Sequence, residues 1–221
     1  MSIRKLLVLV ITLFSLEAEA ATVNLLGRPI EAVIPTGYCE VGSHPADANL
    51  VSSTRAGIGN ANQILVLFAN CMELEDFRNG GRTMLDNYGL ILAQTPKGQL
   101  RLLKGVSRSE YIKKMGAQPS NNPKNFKKIE ARAKQYIPGY KSYENLGLLG
   151  TDSNGLYEGL MMTLTDDTGR LRPIVGIIGM TLVKEFSITI NLYQAYQNSP
   201  DLRGLLTRHQ SATANFVRAN N

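Results

Sequence analysis

Few residues in this chain are of a type and spacing that could do chemistry. Its two imidazoles are His44 and His209, so a three-histidine metal site is impossible. No HExxH segment, cysteine-rich cluster or carboxylate-rich calcium loop is present either. His44 and Asp47 stand three apart, and on a shared helical face they could hold a metal or orient an imidazole as a base. The plainer reading is a helix start, with Asp47 at the positive end of the dipole and His44 outside it. A serine hydrolase would need its nucleophile beside one of the two imidazoles, and no GxSxG elbow occurs. His209 falls on an apolar helical stripe, which suits a packed, hydrogen-bonded core residue better than a base. Gly57-Ile58-Gly59-Asn60 precedes a strand-like run, the wrong order for a phosphate-cradling loop. The sequence therefore assigns no catalytic, cofactor or metal residue.

Charge is more informative than motif. The chain carries a formal +6, unevenly spread. Between Lys97 and Lys141 twelve basic residues face two acids, Glu110 and Glu130. That segment carries +10 and the remainder −4. Such asymmetry points to an anionic partner met through the middle of the protein. The candidate binding patch is Lys113, Lys114, Lys124, Lys127, Lys128, Arg132 and Lys134. The alternative is a solvated basic helix that only aids solubility.

The N-terminus narrows the partner. Arg4 and Lys5 precede the uncharged apolar run Leu6 to Leu16, and Ala18 and Ala20 occupy the −3 and −1 positions of an A-x-A site. Residues 1–20 thus read as a cleavable signal peptide, with cleavage between Ala20 and Ala21. The run is short for a bilayer-spanning helix, which needs about 20 residues, and no later segment reaches that length. A periplasmic protein is expected, or a fully secreted one. Nucleic acid is then not expected as a partner, leaving an anionic envelope lipid, lipopolysaccharide phosphates or an acidic protein face. In an oxidising compartment the even cysteine count, Cys39 and Cys71, points to a disulfide; two separate thiols are the alternative.

These residues must be positioned by recognisable elements. Residues 22–34 alternate as a strand pair turning at Gly27-Arg28. A helix is expected over 45–57, opened by Pro45, and a buried strand over 63–69, where an apolar run ends just before Cys71. A short helix over 72–79 and a strand over 86–95 follow. Ser107 and Glu110 form a capping box that starts a helix to about Met115. Asn122-Pro123 opens the basic helix, in which Phe126, Ile129, Ala133 and Ile137 make the apolar stripe, and Pro138-Gly139 closes it. Residues 144–150, 156–165, 173–183 and 186–194 read as an antiparallel meander with turns at 152–155, 166–169 and Lys184-Glu185. Ser199-Pro200 opens a last helix whose stripe runs through Leu202, Leu205, Leu206, His209, Thr213, Phe216 and Val217. The expectation is one α+β domain over 21–221, an antiparallel meander flanked by helices with the C-terminal helix packed on the sheet.

This order resembles the PsbP-like superfold, named for an extrinsic subunit of photosystem II. The segments IPTGYCEVG and FANCMELEDFRNG are similar to those of uncharacterised exported bacterial proteins, in which a Gly-Tyr-Cys is paired with a later Cys before an Arg. The resemblance implies the fold and the Cys39–Cys71 disulfide, not an active site, and it implies binding or assembly roles. The expected function is a non-catalytic periplasmic binding or accessory protein with a basic helical surface. The alternative is a periplasmic hydrolase of envelope material.

Overall fold

A computed structural model describes residues 20–118, 123–196 and 202–221. The expected signal segment, apart from Ala20, lies outside the described residues, as do Asn122 and Ser199-Pro200. The chain opens with a hairpin of β1 (Ala20–Leu25) and β2 (Arg28–Val33). The proposed cleavage point, Ala20/Ala21, thus falls at the first residues of β1. The turn is Leu26-Gly27, one position earlier than expected. Both residues have positive φ, 50° and 82°, as a two-residue turn matched to strand twist requires, and the Asn24 side chain accepts from the Gly27 N–H at 2.8 Å.

The main sheet is antiparallel and has seven strands. They are β3 (Tyr38–Glu40), β4 (Asn62–Asn70), β5 (Asn87–Gln94), β6 (Tyr140–Thr151), β7 (Leu156–Thr165), β8 (Leu171–Val183) and β9 (Phe186–Ala195). Their order is β3-β4-β5-β9-β8-β7-β6. Two local meanders are therefore joined by one long-range pairing, β5 on β9, with Ile91 opposite Ile190. Strand β6 begins at Tyr140, four residues before the expected start, because three register shifts let this edge strand stay paired along β7. The helices are α1 (Ala48–Ile58), α2 (Cys71–Arg78), α3 (Arg108–Gly116), α4 (Pro123–Tyr136) and α5 (Leu202–Ala219). A 3-10 turn over Pro45–Asp47 precedes α1. Helix α3 starts on the expected capping box: Ser107 Oγ accepts from Glu110 N–H at 3.2 Å, and Glu110 accepts from Ser107 N–H at 2.8 Å.

One sheet face is covered by α5 and the β1–β2 hairpin. Leu205, Phe216 and Val217 of α5 pack with Ile30 and Ala32 of β2 against Ile188, Ile190 and Ile177. Each of these side chains larger than alanine contributes roughly 1.5–3 kcal/mol of transfer free energy. His209 belongs to this layer, fully buried. Its Nε2 lies 2.7 Å from the Ile190 carbonyl and its ring meets Tyr157 edge-on at 5.4 Å. Gly179 is required beneath it, since a Cβ there would stand 2.3 Å from the imidazole Cε1. The opposite face carries the other helices. Leu74 of α2 packs with Leu67, Leu90 and Leu92, and Tyr111 and Ile112 of α3 pack with Leu156, Met180 and Leu182.

Cys39 and Cys71 form a disulfide with Cα atoms 4.9 Å apart. It ties the three-residue edge strand β3 to the first residue of α2.

Candidate functional site

The basic residues fall on two helices. Lys113 and Lys114 are exposed in the last turn of α3. Lys113 lines an open groove of about 440 Å³ with Ile112, Leu148 and Asp152. The carboxylate in that groove is already spent: Asp152 Oδ1 accepts from the N–H groups of Asn154 and Gly155, and Oδ2 from the Tyr157 hydroxyl at 2.9 Å. The other five basic residues belong to α4, which packs against α1 and β6. Lys127 and Lys134 are exposed, and Lys134 reaches Glu130 at 3.2 Å, an exposed pair of small worth. The side chains of Lys124 and Lys128 lie outside the described set.

Arg132 has a different task from its neighbours. Its Nε donates to the Gly57 carbonyl at 3.2 Å and its NH2 to the Ala56 carbonyl at 2.9 Å. These are orphan carbonyls of the last turn of α1, where a cation is favoured by the helix dipole. The guanidinium lies against Gly59, the C-cap of α1, where a Cβ would overlap it. Arg132 thus fastens α4 to α1, and the lysines project from a helix held in place.

The His44 imidazole and the Asp47 carboxylate do not pair, although the Asp47 N–H donates to the His44 carbonyl at 3.0 Å. Asp47 is fully buried and receives Arg78 through two bonds, Nε–Oδ1 at 3.0 Å and NH2–Oδ2 at 2.7 Å. It also accepts from the Gly42 N–H at 2.8 Å. Hydrogen bonds from Arg78 hold its carboxyl below the usual range. His44 is exposed, and its Nδ1 accepts from the Ala46 N–H at 3.2 Å. It therefore caps the 3-10 turn while Asp47 pairs elsewhere. His209 is lowered to about 4 by burial and touches no groove described here. Among the described residues no group of three or more His, Cys, Asp or Glu is placed to hold a metal ion. No helix among them is long and apolar enough to cross a membrane.

Two features escaped the sequence reading. The first is a polar row on the central strand β9. Ile188, Ile190 and Leu192 face α5, as a central strand should, but Thr189, Asn191 and Tyr193 face the helices opposite. Asn191 Nδ2 donates to Tyr193 Oη at 3.3 Å, while its Oδ1 has no partner among the described residues. Tyr193 stacks on Tyr88 with centroids 4.9 Å apart, and burial raises its hydroxyl to about 12. The alternation in FSITINLY was the available signal. The second is an open groove of about 530 Å³ between α1 and the loop before it. Ala48, Val51, Ser52 and Arg55, spaced to share one helix face, form one wall, and Ser43 and His44 stand opposite.

No protein-family model matches the chain, and no curated protein sequence matches it. In outline it is similar to two solved structures. One is the Ran-binding protein Mog1p of Saccharomyces cerevisiae, at 12% identity and a TM-score of 0.32, covering 91% of this chain and 89% of that one. The other is a point mutant of protein Mog1, at 12% identity and a TM-score of 0.33, covering 90% and 89%. At these values the likeness is one of outline alone and carries no partner or activity across.

Proposed function

We propose that this is an exported, periplasmic binding or accessory protein that meets an anionic envelope component or an acidic protein face through the outer side of α4. The observation behind this is a division of labour on one helix. Arg132 anchors α4 to the carbonyl end of α1, while Lys127 and Lys134 stay exposed. A docked helix presents its cations at fixed spacing, so the entropy of ordering the surface is spent in folding rather than in binding. Exposed charges steer and select partners more than they stabilise the fold.

In-cell crosslinking of the protein and of a Lys127→Glu/Lys134→Glu variant tests the reading. A specific partner captured by the first and lost in the second is the expected result, with capture weakening as salt rises. A partner retained equally by both, at low and high salt, overturns it.

A further inference from the structure

We propose that the groove between α1 and the Ser43–Pro45 loop binds the phosphate group of a small anionic ligand, with Arg55 and His44 as its donors. The site is separate from the α4 surface and does not depend on that reading.

The chemistry of the walls sets the class of ligand. Arg55 is exposed and its guanidinium has no hydrogen-bond or ion-pair partner among the described residues, so the whole fork is available. The orientation of His44 is fixed: Nδ1 accepts from Ala46 N–H, which in the neutral ring leaves the proton on Nε2 as a donor. Ser43 lines the same groove, as does Ser52, whose hydroxyl already donates to the Asn49 carbonyl at 3.1 Å. No acid lines it. The nearest candidate in sequence, Asp47, is buried and bonded to Arg78 and Gly42. A guanidinium fork on one wall and an imidazole N–H and the Ser43 hydroxyl on the other approach a ligand from two sides. They suit a tetrahedral oxyanion, which the Arg fork meets bidentately. Val51 and Ala48 give the groove an apolar wall where the organic part of a phosphate ester can lie. The support is rigid, since the loop leaves β3 between the disulfide and the Asp47–Arg78 pair.

The test is a titration of the folded protein with inorganic phosphate, followed by the ring resonances of its two histidines. His44 should shift saturably while the buried His209 stays still, making His209 an internal control. Arg55→Gln should weaken binding by about ten-fold or more, as loss of a charge-assisted pair does. Arg55→Lys, which keeps the charge but loses the fork, should fall between. Lys127→Glu/Lys134→Glu should bind phosphate as the parent does, so failure here and failure of the α4 reading are told apart. Tighter binding of glycerol phosphate than of inorganic phosphate identifies an organic phosphate as the ligand; equal affinity identifies the free ion. No saturable shift of His44 at tens of millimolar phosphate overturns the proposal, and so does a shift unchanged in Arg55→Gln.

Discussion

Arg78 and Asp47 form a two-point ion pair whose carboxylate is wholly buried while the guanidinium keeps 22% of its side-chain exposure. The same Arg78 NH2 also donates to the Glu40 carbonyl at 3.1 Å, so one side chain joins α2, the end of β3 and the start of α1. Replacing it strands a charge in the interior. Arg78→Met should cost about 3–5 kcal/mol in denaturant unfolding, the usual penalty for breaking a buried pair from one side. The companion Asp47→Asn should cost less, because the charge it leaves unpaired, on Arg78, keeps access to solvent. Because the folded pKa of Asp47 is depressed, its contribution is present above the unfolded carboxylate value. It is lost as pH falls through the folded one. Equal costs for the two substitutions would contradict the assignment.

His209 makes the opposite demand on pH. Its folded pKa of about 4 lies below the ordinary value of 6.5 because burial disfavours the charged ring. The unfolded chain therefore binds the extra proton between those values, and stability falls as pH drops through that window. Between pH 7 and pH 5 the loss from this residue should be about 2 kcal/mol by linkage. His209→Gln should flatten the slope over that range even if it lowers stability overall. A slope unchanged by the substitution would assign the acid sensitivity to another group. Gly179→Ala should be severely destabilising, since the added methyl has no room beside the imidazole.

How far the sequence revealed this molecule depends on how local each signal was. The capping box at Ser107 and Glu110, the Lys184-Glu185 turn with both φ values positive and the buried stripe of α5 are all set by residues within a few positions. They are legible for that reason. The pairing of β5 with β9 is not, because Asn87 and Gln194 meet across more than a hundred residues with no short-range signature. The same limit hides Arg132, whose charge was plain but whose partners, Ala56 and Gly57, lie on another helix. The polar row of β9 was visible as alternation, yet alternation alone does not say that the strand is central. Only the sheet order turns Asn191 from an ordinary solvent-facing residue into a buried one.

That position yields a prediction of unusual sign. Asn191 is 6% exposed, makes one long bond at 3.3 Å and keeps an unpaired Oδ1. Asn191→Leu is similar in shape and removes a buried carbonyl that costs about 1–3 kcal/mol when unmatched. Thermal unfolding should show the variant equal to the parent or more stable. A large destabilisation would mean that the amide has a partner, such as an ordered water, that the leucine cannot replace.

The disulfide tethers a short edge strand. Strand β3 pairs with three residues of β4, and Tyr38 meets Phe68 edge-on at 5.4 Å. Closing a loop over a sequence separation of 32 stabilises by about 3–4 kcal/mol in the chain-entropy model. Cys39→Ala/Cys71→Ala should lose about that much. Intact mass before and after reduction and alkylation should reveal one bridge in the purified protein; two thiols alkylated without reduction would contradict it.

Arg132 and Lys127 share a helix and a charge, so substituting each separates anchoring from binding. Arg132→Ala removes two charge-assisted bonds to the carbonyls of Ala56 and Gly57 and the contact with the Tyr136 ring at 5.9 Å. The expected cost is about 1.5–3 kcal/mol, together with faster amide exchange along α4. Lys127→Glu changes an exposed side chain and should stay within about 0.5 kcal/mol of the parent, while weakening capture of an anionic partner. If Arg132→Ala left stability untouched but abolished capture, the guanidinium would belong to the binding surface and the docking of α4 would have to come from its apolar stripe alone. If Lys127→Glu destabilised as much as Arg132→Ala, the exposed lysine would be structural and the anionic partner would have to be sought elsewhere on the protein.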